Sequence, residues 1–168
     1  MTEFESSRLE EGHILAGFDC GKDSLNNWLQ SDAHRVHAGS VARVQVWTPL
    51  GESKVCAYFA ICPTEVVRAE DGVTGSFAGG YSRIPGFLIA RLALDKSLIG
   101  QGYGEQLLLD ALGIAVAAAE IGGGRLIVFE AINDEAAEFY KRYDFVPVKK
   151  RERRLVMKVV TAAEALRN

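Results

Sequence analysis

The chain has 168 residues, which is enough for one domain with a substantial core. Its 48% hydrophobic and 24% charged residues are typical of a soluble globular protein, and no apolar run reaches the roughly 18 residues of a membrane span. The N-terminus lacks the basic and apolar regions of a signal peptide. The three cysteines form no C-x-x-C pair, so neither a disulfide framework nor a metal site is predicted, and a reducing cytoplasm is the expected compartment.

The charge is unevenly distributed, although the net charge is only −3. Residues 1–32 carry seven acidic and two basic side chains, whereas residues 141–154 carry seven basic and two acidic ones. Such asymmetry can steer a polyanion to one face of a protein. A solvated charged hairpin explains the basic run equally well, so the pattern leaves both interpretations open.

The N-terminal third predicts a weak strand over residues 8–15 and then a helix that Asp23 or Ser24 caps. One face of that helix is apolar, at helical spacing: Leu25, Trp28, Leu29, Ala33 and Val36. His34 and His37 lie on the same helix without a third ligand nearby in sequence, so we expect two exposed polar side chains.

An antiparallel meander is predicted next. Residues 41–48 alternate largely with period two, and residues 54–69 are rich in β-formers, with Pro63 at a bend or an edge position. Residues 70–86 contain five glycines and one proline, which predicts a loop.

The most informative stretch couples an apolar strand, residues 86–95, to a helix, residues 105–121, through a glycine-rich turn. Gly100, Gly102 and Gly104 leave the turn without Cβ atoms and permit positive φ. Backbone N–H groups at the start of a helix attract negative charge. The turn therefore predicts a phosphate or pyrophosphate site, followed by a buried strand over residues 125–131.

The glycine spacing decides which kind of phosphate site this is. A dinucleotide fingerprint has G-x-G-x-x-G and a Walker loop has G-K-[S/T], and neither occurs here. The stretch from Ile99 to Gly104 resembles motif A of the GNAT acetyltransferases, [Q/R]-x-x-G-x-[G/A], with Ile99 in place of Gln or Arg. We expect this replacement to weaken binding without abolishing it, because the main-chain donors remain.

A second motif follows in the order that GNAT proteins have. Residues 133–145 resemble N-x-x-A-x-x-F-Y-x-x-x-G-F, with Asp144 where glycine is usual. Asn133 can cap a helix, and aspartate enters the left-handed region at modest cost, so the turn can survive. Two strands, residues 145–149 and 154–160, are predicted to finish the sheet.

The resemblance implies one α/β (α+β) GNAT domain over residues 1–168. Its expected sheet is mixed, mostly antiparallel and twisted, with splayed central strands and flanking helices. The implied co-substrate is acetyl-CoA, and Tyr140 is the implied acid for the departing thiolate. The implied acetyl-CoA-binding residues are Leu92, Ala93, Leu94, Ile99, Gly100, Gln101, Gly102, Tyr103, Gly104, Asn133, Ala136 and Phe139.

The sequence shows no strong general base. Glu130 is a candidate, and a structural carboxylate is an equally good interpretation of it. A lysine amine with a pKa of about 10.4 needs a base, whereas an α-amine near about 7.7–8.0 is partly free at neutral pH. The missing base therefore mildly favours an α-amine acceptor.

Residues 17–29 and 90–95 add a narrower resemblance to the GNAT toxins of type II toxin–antitoxin modules. That resemblance implies an aminoacyl-tRNA acceptor, a ribbon-helix-helix antitoxin and a homodimer. The expected tRNA contacts are Arg83, Arg91, Lys141, Lys149, Lys150 and Arg151. Two alternatives remain open: acetylation of a small amine or a protein N-terminus, and a non-catalytic module that binds CoA.

Overall fold

The computed structural model describes residues 3–168. The seven strands within these residues are β1 (Phe4–Arg8), β2 (Arg43–Pro49), β3 (Ala57–Val67), β4 (Arg83–Leu94), β5 (Leu126–Glu130), β6 (Val146–Val148) and β7 (Arg151–Lys158). The six α-helices of the described part of the chain are α1 (Asp23–Ser31), α2 (Ala33–Ala38), α3 (Gly75–Ala78), α4 (Tyr103–Gly122), α5 (Asp134–Lys141) and α6 (Val159–Arg167). No helix within residues 3–168 combines the length and the apolar character that crossing a membrane requires.

The strands form one sheet in the order β1-β2-β3-β4-β5-β7-β6. β4 and β5 run parallel over Gly86–Ile89, whereas β1–β2, β2–β3, β5–β7 and β6–β7 are antiparallel. A Cβ atom at Gly86 would lie 2.5 Å from the Leu126 carbonyl oxygen, so this ladder requires glycine there. The predicted fold class, a mixed and mostly antiparallel sheet with flanking helices, is confirmed.

The chain divides into two compact units, and the first comprises Met1–Cys62 with Arg91–Asp110. Its core joins β2 and β3 to the apolar face of α1 and α2, where Leu25, Leu29 and Ala33 are buried as predicted. Trp28 and Val36, the other two residues of that predicted face, are partly buried against the same core.

The second unit comprises Pro63–Ala90 with Ala111–Asn168. Its core is built from alternating apolar residues of β4, β5 and β7, among them Ile84, Leu126, Val128 and Val156. The strand predicted over residues 125–131 is therefore buried, as expected.

Several predicted boundaries near the N-terminus are wrong. The first strand is β1, which ends at Arg8, and the predicted strand 8–15 is a loop with an isolated bridge between Ile14 and Lys54. β1 is an edge strand with mostly exposed side chains, so it lacks the alternation that identifies a strand. The predicted single helix divides at Asp32, and its N-cap is Lys22, which makes no side-chain capping bond.

Two further predictions are corrected by local structure. Residues 70–86 are not one loop, because a π-helical turn at Arg68–Gly72, helix α3 and the start of β4 lie there. The last strand ends at Lys158, and α6 replaces its predicted end. The sequence of α6 is rich in Ala, Glu and Leu, so helix propensity prevails over the two valines that begin it.

Candidate acetyl-donor and acid residues

The glycine-rich turn joins β4 to α4 and adopts the backbone conformation that its sequence predicts. Gly100 and Gly102 have φ values of +81° and +85°, in the region that favours glycine. A Cβ atom at either position would meet nothing within 4 Å, so the turn faces open space. Gly104 already belongs to α4.

Helix α4 begins at Tyr103, immediately after these two glycines. The first four N–H groups of an α-helix have no partner inside the helix, and the helix dipole makes them a site for anions. Because α4 has 20 residues, its dipole is fully developed. The turn can therefore hold a negatively charged group through main-chain donors.

The side chains of Ile99, Gln101 and Tyr103 differ in their contacts and exposure. Gln101 donates from Nε2 to the Ser97 carbonyl oxygen at 2.9 Å, which ties the turn to the short 3₁₀ helix before it. The Tyr103 side chain is buried and packs edge-on against Phe4, so only its main chain can serve a ligand at the turn. Ile99 is 58% exposed, so an apolar side chain stands where the family pattern has a polar one.

The three predicted pantetheine contacts lie at the end of β4. The Ala93 side chain is buried, whereas Leu92 and Leu94 are partly buried. The recorded ladder between β4 and β5 ends at Ile89, five residues before β4 itself ends at Leu94. The last residues of β4 therefore extend beyond that ladder.

Helix α5 is capped as its sequence predicts. The Asn133 side chain accepts a hydrogen bond from the Ala136 N–H through Oδ1 at 2.8 Å. Oδ1 is thus engaged inside the helix cap, and the Nδ2 group of Asn133 is the part that could contact a ligand. Asp134 and Glu135 in the first turn add negative charge where the helix dipole favours it.

Tyr140 lies near the end of α5 and is 6% exposed. Its ring stacks on Phe129 with 4.1 Å between ring centroids, and Phe139 and Phe145 pack against it edge-on. Burial raises the pKa of the Tyr140 phenol above its usual value of 10. The side chain is therefore neutral and carries its proton at every physiological pH.

The turn after α5 tolerates the departure from the family pattern. Asp144 has a φ of +69°, the left-handed conformation that the sequence predicts for this position. The N–H groups of Asp144 and Phe145 donate to the carbonyl oxygens of Lys141 and Tyr140 at 3.1 Å and 3.3 Å. These bonds satisfy carbonyl groups at the end of the helix that carries Tyr140.

Most of the basic side chains that were expected to contact tRNA have partners inside the protein. Arg83 pairs with Glu65, Lys141 pairs with Glu138 at 2.9 Å, and Arg151 pairs with Asp71 at 3.4 Å.

The other three of these basic residues, Lys149, Lys150 and Arg91, have different surroundings. The Lys150 ammonium donates to the Ala69 carbonyl oxygen at 2.6 Å, and Lys149 is exposed. The Arg91 guanidinium lies 4.3 Å from the ring centroid of Trp28, in a cation–π contact.

Arg154 belongs to the basic run of residues 141–154, but its side chain is buried. It donates from Nη1 to Glu130 at 2.7 Å and from Nη2 to the Glu65 carbonyl oxygen at 3.1 Å, and its Nε lies 3.6 Å from the buried Asp71 carboxylate. Glu130 is thus held by a guanidinium, which favours the interpretation of a structural carboxylate over a general base. The burial of Asp71 could not be predicted from sequence, because the two arginines that lie beside its carboxylate, Arg151 and Arg154, are about 80 residues further along the chain.

The prediction that both histidines of α2 are exposed is wrong for His37. His34 is exposed, whereas His37 is half-buried and accepts a hydrogen bond from the Val44 N–H through Nδ1 at 3.0 Å. Burial is the largest cause that lowers the pKa of His37. Within residues 3–168 no group of three His, Cys, Asp or Glu side chains could hold a metal ion.

Comparison with known proteins agrees with the sequence motifs. Residues 56–147 match the family model described as an acetyltransferase (GNAT) domain. A protein of Mycobacterium tuberculosis (strain ATCC 25618 / H37Rv) called tRNA-acetylating toxin is 31% identical over 144 residues, which is 82% of this chain and 81% of that protein.

Two solved structures cover nearly the whole chain. AtaT complexed with acetyl-methionyl-tRNAfMet has a TM-score of 0.88 at 28% identity, covering 99% of this chain and 100% of that one. A tyrosine-to-phenylalanine mutant of the toxin AtaT, bound to the C-terminus of the antitoxin AtaR and acetyl-CoA, has a TM-score of 0.85 at 26% identity, covering 98% and 99%. Since the family model matches more than half of the chain, this protein belongs to the GNAT acetyltransferase family.

Proposed function

We propose that this protein is a toxin that transfers the acetyl group of acetyl-CoA to the α-amine of an aminoacyl-tRNA and so blocks translation. One observation carries the proposal: 99% of the chain superposes on AtaT, whose solved complex contains acetyl-methionyl-tRNAfMet. The 31% identity to a tRNA-acetylating toxin supports the same substrate class. Residues 1–168 form a single acetyltransferase domain in this proposal.

The glycine turn is assigned to the donor. The pyrophosphate of acetyl-CoA binds the main-chain N–H groups of residues 99–104, and its pantetheine arm bonds to the backbone of Leu92, Ala93 and Leu94. The positive φ values of Gly100 and Gly102 and the start of α4 directly after them support this assignment. In this proposal Asn133, Ala136 and Phe139 complete the donor contacts from α5.

Tyr140 is assigned as the general acid. The α-amine nitrogen attacks the thioester carbonyl carbon, so that a C–N bond forms and the C–S bond breaks. The Tyr140 hydroxyl gives its proton to the departing sulfur, and the nitrogen loses the proton that restores the phenol through solvent. The phenol carries its proton at physiological pH, as a general acid must before the sulfur departs.

The acceptor is assigned to an α-amine because its pKa leaves a neutral fraction near pH 7 without a dedicated base. The pairing of Glu130 with Arg154 agrees with this choice. Arg83, Arg91, Lys141, Lys149, Lys150 and Arg151 are the proposed contacts with tRNA phosphates. Exposed ion pairs such as Arg83–Glu65 contribute only about 0–1 kcal/mol, so a phosphate can replace the carboxylate.

The proposed partners follow the related toxins. An antitoxin with a ribbon-helix-helix domain neutralises the protein, which acts in the cytoplasm as a homodimer. The solved complex of the AtaT mutant with the C-terminus of AtaR supports the antitoxin.

Labelled acetyl-CoA tests the proposal directly. The purified protein is incubated with total aminoacyl-tRNA, with free amino acids and with a peptide that has a free N-terminus. We expect label only on the aminoacyl-tRNA, and mild alkali should release it as acetylated amino acid. Label on small amines or peptides alone would replace the toxin with an ordinary acetyltransferase, and binding of acetyl-CoA without transfer would make the protein a CoA-binding module.

A growth assay tests the toxin assignment independently. Expression without an antitoxin should arrest growth, and co-expression of the antitoxin should restore it. An active enzyme whose expression leaves growth unchanged would contradict the toxin assignment while leaving the acetyltransferase assignment intact.

A further inference from the structure

The glycine turn is exposed, and it is hydrogen-bonded to the segment before it through Ile99 N–H to the Lys96 carbonyl oxygen and Gln101 to the Ser97 carbonyl oxygen. Gly100 and Gly102 have open space beside their Cα atoms, and Ile99 and Gln101 are exposed. That segment is the 3₁₀ helix Lys96–Leu98, which the Asp95 side chain caps.

Asp95 anchors the base of that helix with both carboxylate oxygens. Oδ2 accepts hydrogen bonds from the N–H and the hydroxyl of Ser97 at 3.1 Å and 2.7 Å, which caps the 3₁₀ helix. Oδ1 accepts from the Asp19 N–H at 3.0 Å, and the Asp95 N–H donates to the Cys56 carbonyl oxygen at 2.8 Å. Asp95 therefore joins the 3₁₀ helix before the turn to the residue that precedes β3 and to the loop before α1.

Asp19 holds the same segment from the other side. Its carbonyl oxygen accepts from the Lys96 N–H at 2.8 Å, and its Oδ2 lies 2.9 Å from the Lys96 ammonium. Oδ1 accepts from the N–H of Gly21 and from the amide of Asn26 at 2.9 Å and 3.0 Å. The hydrogen bond to Lys96 is the largest cause that lowers the pKa of Asp19 to about 2, so this carboxylate is ionised at neutral pH.

The loop that carries Asp19 is itself fixed to the core. Phe18 is 2% exposed and packs edge-on against Tyr58, and the Cys20 N–H donates to Asn26 at 2.9 Å. The path from the core to the turn thus runs through Phe18, Asp19, Lys96 and Asp95, all within the first unit.

We propose that Asp19 and Asp95 are positioning residues, which hold the main-chain N–H groups of the glycine turn in the arrangement that binds the diphosphate of acetyl-CoA. The proposal rests on the assignment of that turn to the donor. Neither carboxylate contacts the diphosphate in this account, since a negative charge there would repel it. Their effect is transmitted through the 3₁₀ helix that each of them binds.

The test compares two donors, because only one of them has a diphosphate. Steady-state kinetics with Asp95→Ala and Asp19→Ala should show a KM for acetyl-CoA about tenfold higher, with kcat within about twofold of wild type. The KM for S-acetylpantetheine, which lacks the diphosphate, should not change. A loss of folded protein would lower the apparent kcat with both donors and leave both KM values unchanged. Equal increases in the two KM values would overturn the proposal, because an effect on the diphosphate site requires a difference between the donors.

Two further variants sharpen the test. Lys96→Ala removes the same ion pair as Asp19→Ala, so the double variant should be no worse than the more affected single one. Asp32→Ala is the matched control, because it removes an exposed Asp32–Arg35 pair of 3.0 Å on the α1–α2 surface and should leave both KM values unchanged. If Asp95→Ala fails to fold, Asp95→Asn, which keeps the size of the side chain, takes its place in the same comparison of donors. Additive effects of Asp19→Ala and Lys96→Ala would overturn the role of Asp19.

The Gly102→Ala variant tests whether the turn binds acetyl-CoA at all, independently of the role proposed for Asp19 and Asp95. It places a Cβ atom on a residue with φ of +85° and should raise the KM for acetyl-CoA directly. A higher KM in Gly102→Ala with wild-type values in Asp95→Ala and Asp19→Ala would overturn the positioning role alone. Wild-type values in all three would overturn the donor assignment as well.

Discussion

The two buried tyrosines of this protein differ in what their hydroxyl groups do. Tyr58, on β3, is fully buried, stacks on Trp28 with 5.9 Å between ring centroids and donates a 2.7 Å hydrogen bond to the Leu25 carbonyl oxygen. Tyr140, on α5, is buried among three phenylalanines, and within residues 3–168 the structure shows no hydrogen bond from its hydroxyl. Among the residues that the structure describes, the Tyr140 hydroxyl is not one of the buried polar atoms that lack a partner, so the ring is buried while its oxygen reaches the surface.

The pKa does not distinguish the two phenols. Burial is the largest cause that raises the pKa of both Tyr58 and Tyr140, so each is neutral at physiological pH. The difference lies in the hydrogen bond: the Tyr58 proton is committed to a carbonyl oxygen, whereas the Tyr140 proton is available. We infer that the first phenol stabilises the fold and that the second is free to serve a reaction.

Tyr140→Phe should have the largest effect. Loss of a general acid typically lowers the rate by about 10²–10⁴-fold, so we expect kcat for acetyl transfer to fall by that factor. The free energy of unfolding should stay within about 0.5 kcal/mol, because no hydrogen bond is lost. Transfer of labelled acetyl groups and urea denaturation measure the two quantities on the same preparation.

The growth assay should follow the kinetics, with Tyr140→Phe no longer arresting growth. Near wild-type transfer by a folded Tyr140→Phe protein would remove Tyr140 from the mechanism. The partly buried ring of Tyr143 offers a matched control, because Tyr143→Phe removes a hydroxyl from the adjacent turn and should keep wild-type activity.

Tyr58→Phe should have the opposite profile. It leaves the Leu25 carbonyl oxygen buried without its donor, which typically costs about 1–3 kcal/mol. For a protein of this size each kcal/mol lowers Tm by roughly 2–4 °C. Calorimetry should therefore show a lower Tm, while kcat remains within about twofold of wild type. A folded Tyr58→Phe protein as inactive as Tyr140→Phe would break the distinction between the two residues.

The features that sequence predicts well are those that local chemistry decides. Gly100, Gly102 and Asp144 have positive φ because their sequence motifs require it, and Asn133 caps α5 because an asparagine before a helix can reach the N–H three residues on. The order of the two motifs then identifies the family, which the match over residues 56–147 confirms.

The features that sequence misses depend on partners far along the chain. Arg154 reads as one more cation in a basic run, and only the fold brings it to Glu130 and the buried Asp71. Asp19 and Asp95 likewise look like ordinary turn residues until the fold joins them at 3.0 Å. Edge strand β1 gives no alternation because most of its side chains are exposed.

The helices that support the two tyrosines provide the smallest predicted difference. Asn133 caps the helix that carries Tyr140, so Asn133→Ala should lower the free energy of unfolding by about 1 kcal/mol. Helix α1 supplies the Leu25 carbonyl oxygen that Tyr58 binds, and its N-cap residue is Lys22, which makes no side-chain capping bond. Lys22→Ala should therefore change the free energy of unfolding by less than about 0.5 kcal/mol. Asn133→Asp should keep the wild-type value because aspartate caps equally well. Equal losses in the two alanine variants, measured by urea denaturation, would show that the Asn133 bond contributes nothing to the helix on which the proposed acid lies.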